Sequence, residues 1–215
     1  MKKKTDLNIV YEDKEVIVVN KPTNLLTIST EKEKIKTLYH KVRIYLNNKS
    51  EKVFIVHRLD KDTSGLVIFA KNSTIKAILQ KEFENSNVTR KYEAVVKEKL
   101  DENYNKFIKQ YIYYNKSCGL SFPTLNKKIG KLALTKIRYN SLLDDNTVLD
   151  IEILTGRQNQ IRVALKTLNL TLIGDKKYSN DNSSYMHLNS YYLKFNKNVL
   201  KVNEFKLNPK WLKEK

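Results

Sequence analysis

The chain has 215 residues, 40% of them hydrophobic, with 41 Lys and Arg against 23 Asp and Glu and a net charge of +18 at neutral pH. That is enough apolar material for one sizeable core and excludes disorder throughout, so a single domain over 1–215 is expected. The lone cysteine, Cys118, excludes an internal disulfide scaffold; with no apolar stretch after Met1-Lys2-Lys3-Lys4 and no run near ~20 apolar residues, a cytoplasmic protein off the membrane is expected.

In chain order, Ile9-Val10-Tyr11 and Val16-Ile17-Val18-Val19 read as two short strands around the turn-like Glu12-Asp13-Lys14, with Asn20-Lys21-Pro22-Thr23-Asn24 ending the second. Leu38, Val42, Tyr45 and Leu46 recur at helical spacing, as do Ile75, Ile78, Leu79 and Phe83 behind a cap at Ser73. Between those helices, Val53-Phe54-Ile55-Val56 and Leu66-Val67-Ile68-Phe69-Ala70 are two apolar strands flanking the polar segment His57 to Gly65. Tyr92, Ala94 and Val96 alternate with Lys91, Glu93 and Val95, which predicts a strand with one buried face. Lys97 to Gly130 is a Lys-, Asn- and Tyr-rich excursion of irregular or paired strands at the edge of the core. Strands resume over Ala133–Tyr139 and Val148–Leu154, and a helix follows with Thr155 as its cap, Gln158 closing a capping box, and Ile161, Leu165 and Leu168 as its stripe. Strands outnumber helices without a βαβ alternation, so the expected class is α+β: a mixed, largely antiparallel central sheet with flanking helices.

None of the five glycines sits in a phosphate-cradling loop, and His40, His57 and His187 are far apart beside a single cysteine. No metal and no cofactor are therefore expected. The charge excess calls for a polyanion, nucleic acid ahead of a membrane surface because no long basic amphipathic helix stands out. Between its two apolar strands, His57-Arg58-Leu59-Asp60-Lys61-Asp62-Thr63-Ser64-Gly65 must lie at the rim of the core. On composition alone an ordinary tight turn accounts for it better than a site does, with Asp60 and Asp62 bonding backbone amides and Gly65 supplying an unusual dihedral.

The length of the match reverses that preference. His57 to Leu66 resembles the H-R-L-D-x-x-T-S-G-L signature of the RluA family of pseudouridine synthases. Ile9 to Pro22 is similar to the family's opening strand pair, and Arg90-Lys91-Tyr92-Glu93-Ala94-Val95-Val96 to its K-x-Y-x-A-x-V strand. Leu154 to Arg162 resembles L-x-T-G-R-x-H-Q-I-R, and Ile173-Gly174-Asp175 with Tyr178 resembles I-x-G-D-x-x-Y, so the likeness runs from Ile9 to about Phe195. Asn159 stands where the family usually has His, and the N-terminal S4 domain that many relatives carry has no counterpart here.

The resemblance implies isomerisation of uridine to pseudouridine in RNA, ribosomal RNA ranking first and transfer RNA second, by a monomer without a small-molecule cofactor. It makes Asp60 the catalytic carboxylate, as base or nucleophile. Tyr92 becomes the active-site tyrosine and Arg162 the cation paired with Asp60. Arg58 and Arg157 become RNA-binding residues, Arg58 able to enter the stack when the target base flips out. Four of the six arginines, Arg58, Arg90, Arg157 and Arg162, fall inside the motif windows, while the other 35 cations are lysines. The lysines through Lys32–Lys41, Lys97–Lys116 and Lys194–Lys215 read singly as a solvated face and together as a phosphate-binding surface. Two other classes compete: a catalytically inactive RNA-binding or RNA-folding protein, which intact Asp60, Tyr92 and Arg162 argue against, and a basic DNA-binding domain, for which no recognition helix or wedge motif is readable.

Overall fold

The computed structural model describes residues 6–31, 33–208 and 210–211. The N-terminal residues 1–5, and Lys32, Lys213 and Lys215 of the surface lysines, lie outside them. Among the described residues are eleven strands and three helices, the α+β class with largely antiparallel strands that the sequence predicts. They group into two units, the first running to Val88 and including Tyr191–Leu207, the second comprising Thr89–Ser190 with the chain from Asn208. No helix among the described residues is long and apolar enough to cross a membrane.

In the first unit β1 (Asn8–Glu12) pairs antiparallel with β2 (Val16–Lys21), whose first four residues are fully buried. β2 runs two residues beyond the predicted stop, because Asn20 and Lys21 still pair with Leu66 and Gly65 further along the sheet. α1 (Leu38–Asn47) starts on Thr37, whose Oγ1 accepts the His40 N–H at 3.1 Å, and buries Leu38, Val42 and Leu46. Of the predicted strand Val53–Val56 only Phe54–Ile55 pairs (β3); its neighbour is the wholly buried β4 (Ser64–Ala70). α2 (Ser73–Glu84) is capped not by Ser73 but by Asn72, whose extended backbone aims Oδ1 at the Ile75 N–H, 2.8 Å away.

Glu12 closes the edge of this unit. Burial pushes its carboxyl up, but hydrogen bonds from Lys71 (2.7 Å), Lys49 (2.9 Å) and Tyr45 (2.8 Å) outweigh that and hold it at about 2. A carboxyl depressed in the folded state stabilises above its unfolded value and loses that contribution as the pH falls toward 2. Glu12→Gln should therefore lower the thermal midpoint by several degrees at pH 7, and the gap to wild type should close between about pH 4.5 and pH 2. Parallel melting curves across that range would contradict the network.

In the second unit β5 (Val88–Val96), β6 (Asn105–Asn115), β7 (Leu120–Thr124), β8 (Lys131–Leu143) and β9 (Asn146–Ile153) form an antiparallel array in the order β5-β9-β8-β6-β7. The excursion is thus paired strands, with β6 and β7 at the open end. The expectation of one buried face on β5 is corrected: Tyr92 through Val96 are all buried. Glu93 tolerates burial because Asn189 Nδ2 (2.7 Å) and the backbone N–H groups of Lys210 (2.7 Å) and Trp211 (2.9 Å) all donate to its carboxylate. α3 (Gln160–Thr167) begins later than predicted, at Asn159 in a left-handed conformation with no side-chain cap. Thr155 is diverted from capping: its Oγ1 accepts the Leu134 N–H at 2.9 Å and donates to Gln160 Oε1 at 2.8 Å, tying the Thr155–Gln158 loop to β8. Leu168 ends the helix rather than joining its buried stripe.

The last strands, β10 (Leu188–Phe195) and β11 (Glu204–Lys206), are antiparallel, and Leu193, Phe195 and Phe205 join the first unit's core with Val16, Val18, Leu66, Ile68 and Leu79.

Candidate active site

In the first unit the segment between β3 and β4 carries Arg58, exposed, and Asp60, half-buried. Its backbone is clamped from the segment after β2. Thr27 Oγ1 donates to the Leu59 carbonyl at 2.7 Å and accepts the Leu59 N–H at 3.1 Å, while Thr23 Oγ1 donates to the Asp62 carbonyl at 2.7 Å. Lys21, with no exposed surface, donates to the carbonyls of Lys61 (2.9 Å), Leu25 (2.6 Å) and Pro22 (3.0 Å). Burial pushes the Lys21 ammonium down to about 7 against the opposing pull of Asp62 and Asp60. The residues on either side of Asp60, Leu59 and Lys61, are thus both fixed through their main chain. His57 anchors the start of the segment, its Nε2 accepting the Ile68 N–H at 3.1 Å and its ring stacking on Phe83 at 4.7 Å. Gly65 ends it at φ +114°, a conformation a side chain would resist. In the sequence Lys21 stands only within the strand stop Asn20 to Asn24 and the Ile9 to Pro22 likeness, with nothing local to mark its buried contacts.

The second unit holds Tyr92, Arg157 and Arg162. Tyr92 lies on β5 and is 7% exposed. Arg162, 4% exposed on α3, donates from Nε (2.8 Å) and Nη2 (2.5 Å) to the two oxygens of Asp175, itself 1% exposed. Asp175 Oδ1 also accepts the N–H groups of Lys177 (3.0 Å) and Tyr178 (3.1 Å), and the Tyr178 ring lies 4.7 Å from the Arg162 guanidinium carbon. The two C-terminal motifs are therefore one device: Asp175 and Tyr178 orient Arg162. The sequence resemblance includes Ile173-Gly174-Asp175 without assigning Asp175 a task. Asn159 does have one, its Oδ1 accepting from the Tyr178 hydroxyl at 3.1 Å, and that hydroxyl accepts the Ser121 N–H at 2.8 Å. An amide oxygen here supplies the acceptor that an imidazole nitrogen can supply.

Arg157 is exposed on the loop before α3, its Nε donating to the Leu132 carbonyl at 2.8 Å. Arg90, assigned no role from sequence, is 9% exposed beside it. Burial pushes the Arg90 guanidinium below its ordinary value, Tyr92 opposes that, and the charge of Arg157 adds to it. A Cβ on Gly156 would stand 2.7 Å from Arg90 Nη1, so the glycine of the T-G-R motif makes room for that guanidinium.

The profile of the RNA pseudouridylate synthase family matches residues 15–167, from β2 to the end of α3. Ribosomal large subunit pseudouridine synthase D of Borreliella burgdorferi is 37% identical over 186 residues, 82% of this chain and 56% of that protein. Ribosomal large subunit pseudouridine synthase C of Rickettsia bellii is 34% identical over 192 residues, 87% of this chain and 63% of that protein. The chain thus spans 56% to 63% of the length of these two curated relatives. Among solved structures, human RNA pseudouridylate synthase domain containing 1 shares the fold, with a TM-score of 0.78 at 24% identity over 95% of this chain and 84% of that one. With its profile match running across both units, and the strand pair, H-R-L-D segment, tyrosine strand and T-G-R helix in family order, the chain belongs to the RluA-type RNA pseudouridylate synthase family.

Proposed function

We propose that this chain isomerises uridine to pseudouridine in RNA, with ribosomal RNA as first substrate and transfer RNA as second, and that 1–215 acts as one catalytic domain. The observation that carries the reading is the clamp on the motif loop: Leu59, Lys61 and Asp62 are hydrogen-bonded through their main chain by Thr27, Lys21 and Thr23, which leaves Asp60 preorganised rather than mobile. The relatives' names, ribosomal large subunit pseudouridine synthases D and C, support ribosomal RNA. A family profile that spans residues of both units supports the single catalytic domain.

In the reaction the bond from uracil N1 to C1′ of ribose breaks, the uracil turns, and C5 bonds to C1′; C5 gives up its proton and N1 takes one, so nothing is added or lost. Asp60 attacks the sugar or withdraws a proton from it. Tyr92 stacks on the base and its hydroxyl assists proton transfer. Arg162, oriented by Asp175 along its Nε and Nη2 edge, is the cation the family motif assigns as partner to the Asp60 carboxylate. Arg58 enters the stack in place of the flipped base, and Arg157 meets the backbone.

The test is to map pseudouridines in RNA from cells with and without the protein. Loss at one or more uridines of large-subunit ribosomal RNA is expected, with restoration by the wild-type gene. Loss confined to transfer RNA would overturn the substrate, and unchanged maps in both RNAs would overturn the activity.

A further inference from the structure

The second unit carries a feature that the isomerisation does not use. From Asn103 to Leu143 the chain has seven lysines, one arginine and five tyrosines, and not one aspartate or glutamate. Folded, this stretch is the β6, β7 and β8 end of the array, where Lys106 lies over the Tyr104 ring at 5.5 Å and Lys127 over Tyr111 at 5.7 Å. Lys136 and Arg138 face Glu152 and Asp150 on β9, and the remaining basic residues, interleaved with aromatic rings, attract a polyanion with bases to stack.

A concavity of about 240 Å³ opens on this surface, lined by Tyr113, Tyr114, Ile129, Lys131, Arg157 and Gln158 among others. Pockets for drug-sized ligands span ~300–1,000 Å³, so this one suits a single flat ring. Tyr114 is 43% exposed and Ile129 58% exposed, so both are accessible to a ligand. The Gln158 amide offers both a donor and an acceptor to a base edge. Arg157 Nε is committed to Leu132, so the Nη pair is what remains to meet a phosphate. Arg157 also sits close enough to Arg90 to depress it, two cations whose repulsion an anion would relieve. No lining residue is a carboxylate, so the concavity can bind but cannot perform the step assigned to Asp60.

We infer that this pocket seats an unpaired base of the substrate RNA other than the uridine that reacts, with Tyr114 as the stacking face and Lys131 and Arg157 on the adjoining phosphate. The inference rests on the pseudouridine synthase reading for its RNA substrate. An unpaired base is required because in a duplex the base faces are already stacked on each other.

The test uses an oligouridylate of about ten nucleotides with one central 2-aminopurine, single-stranded or annealed to its complement, in the Asp60→Asn background so that turnover does not alter the RNA. Binding of the single strand should quench the 2-aminopurine. Tyr114→Ala should abolish the quenching and weaken binding roughly 5- to 150-fold, the range of one lost base–aromatic stack, without changing the slope of log affinity against log salt. Tyr114→Phe should restore both. Lys131→Ala should keep the quenching and lower the salt slope by about 1. Equal affinity and quenching in Tyr114→Ala and its parent would overturn the inference, as would equal Tyr114 dependence for the duplex. Conversion of uridine by the Asp60 protein alongside such a failure would leave the isomerase reading standing; Tyr114-dependent quenching without any isomerisation would leave the pocket standing and remove the reading.

Discussion

Asp60→Asn is expected to abolish pseudouridine formation, with turnover falling at least ~10³-fold, while the fold and RNA affinity persist. The amide is nearly isosteric with the carboxylate, and the loop that carries it is held by side-chain hydrogen bonds from Lys21, Thr23 and Thr27 to its main-chain carbonyls. Neither the clamp nor the lysine surface should notice the change. What is lost is the capacity to act as base or nucleophile, which a neutral amide lacks. Single-turnover conversion of a uridine-containing RNA, with filter binding of the same RNA, separates the two effects. A turnover within tenfold of wild type would remove Asp60 from the reaction, and a parallel loss of binding would make it a positioning residue.

The second large effect is expected at Arg162. Truncation to Ala leaves the Asp175 carboxylate at 1% exposure without its two-pronged partner. Breaking such a pair costs about 3–5 kcal/mol, or roughly 6–20 °C in thermal midpoint for a chain of this size. Arg162→Lys keeps the charge and should recover part of that stability. A lysine cannot reproduce the planar fork on Asp175 or the stack on Tyr178, so turnover should fall severely even where the protein stays folded. Arg43→Lys is the control: Arg43 is exposed on α1, its nearest polar partner being His40 Nδ1 at 3.3 Å, and neither stability nor turnover should change. If Arg162→Lys turned over as fast as Arg43→Lys, the role given to Arg162 would be wrong.

Much of the local structure was legible in the residues. Leu38, Val42 and Leu46 mark the buried stripe of α1, and the apolar runs at Val16 and Leu66 became adjacent strands whose apolar residues are all buried. Where local reading failed, a distant group had taken the side chain. Thr155 and Gln158 spell a capping box, but Thr155 bonds Leu134 and Gln160 instead, and the helix starts uncapped at Asn159. Glu93 reads as the solvent face of an alternating strand, yet groups at Asn189, Lys210 and Trp211, about a hundred residues on, satisfy it in the core.

The same division runs through the candidate site. The sequence by itself determined the family and the residue types offered for chemistry, because a motif such as His57-Arg58-Leu59-Asp60 is contiguous and its order survives without coordinates. The partners were decided only by the tertiary structure. Lys21 reaches the Lys61 carbonyl across forty positions, and Asp175 rather than a neighbour on the helix orients Arg162. The sequence lists donors and acceptors, but a buried charge must find its counterpart wherever the chain returns, and that return is set by packing the cores of the sheet and helices, not by any local pattern.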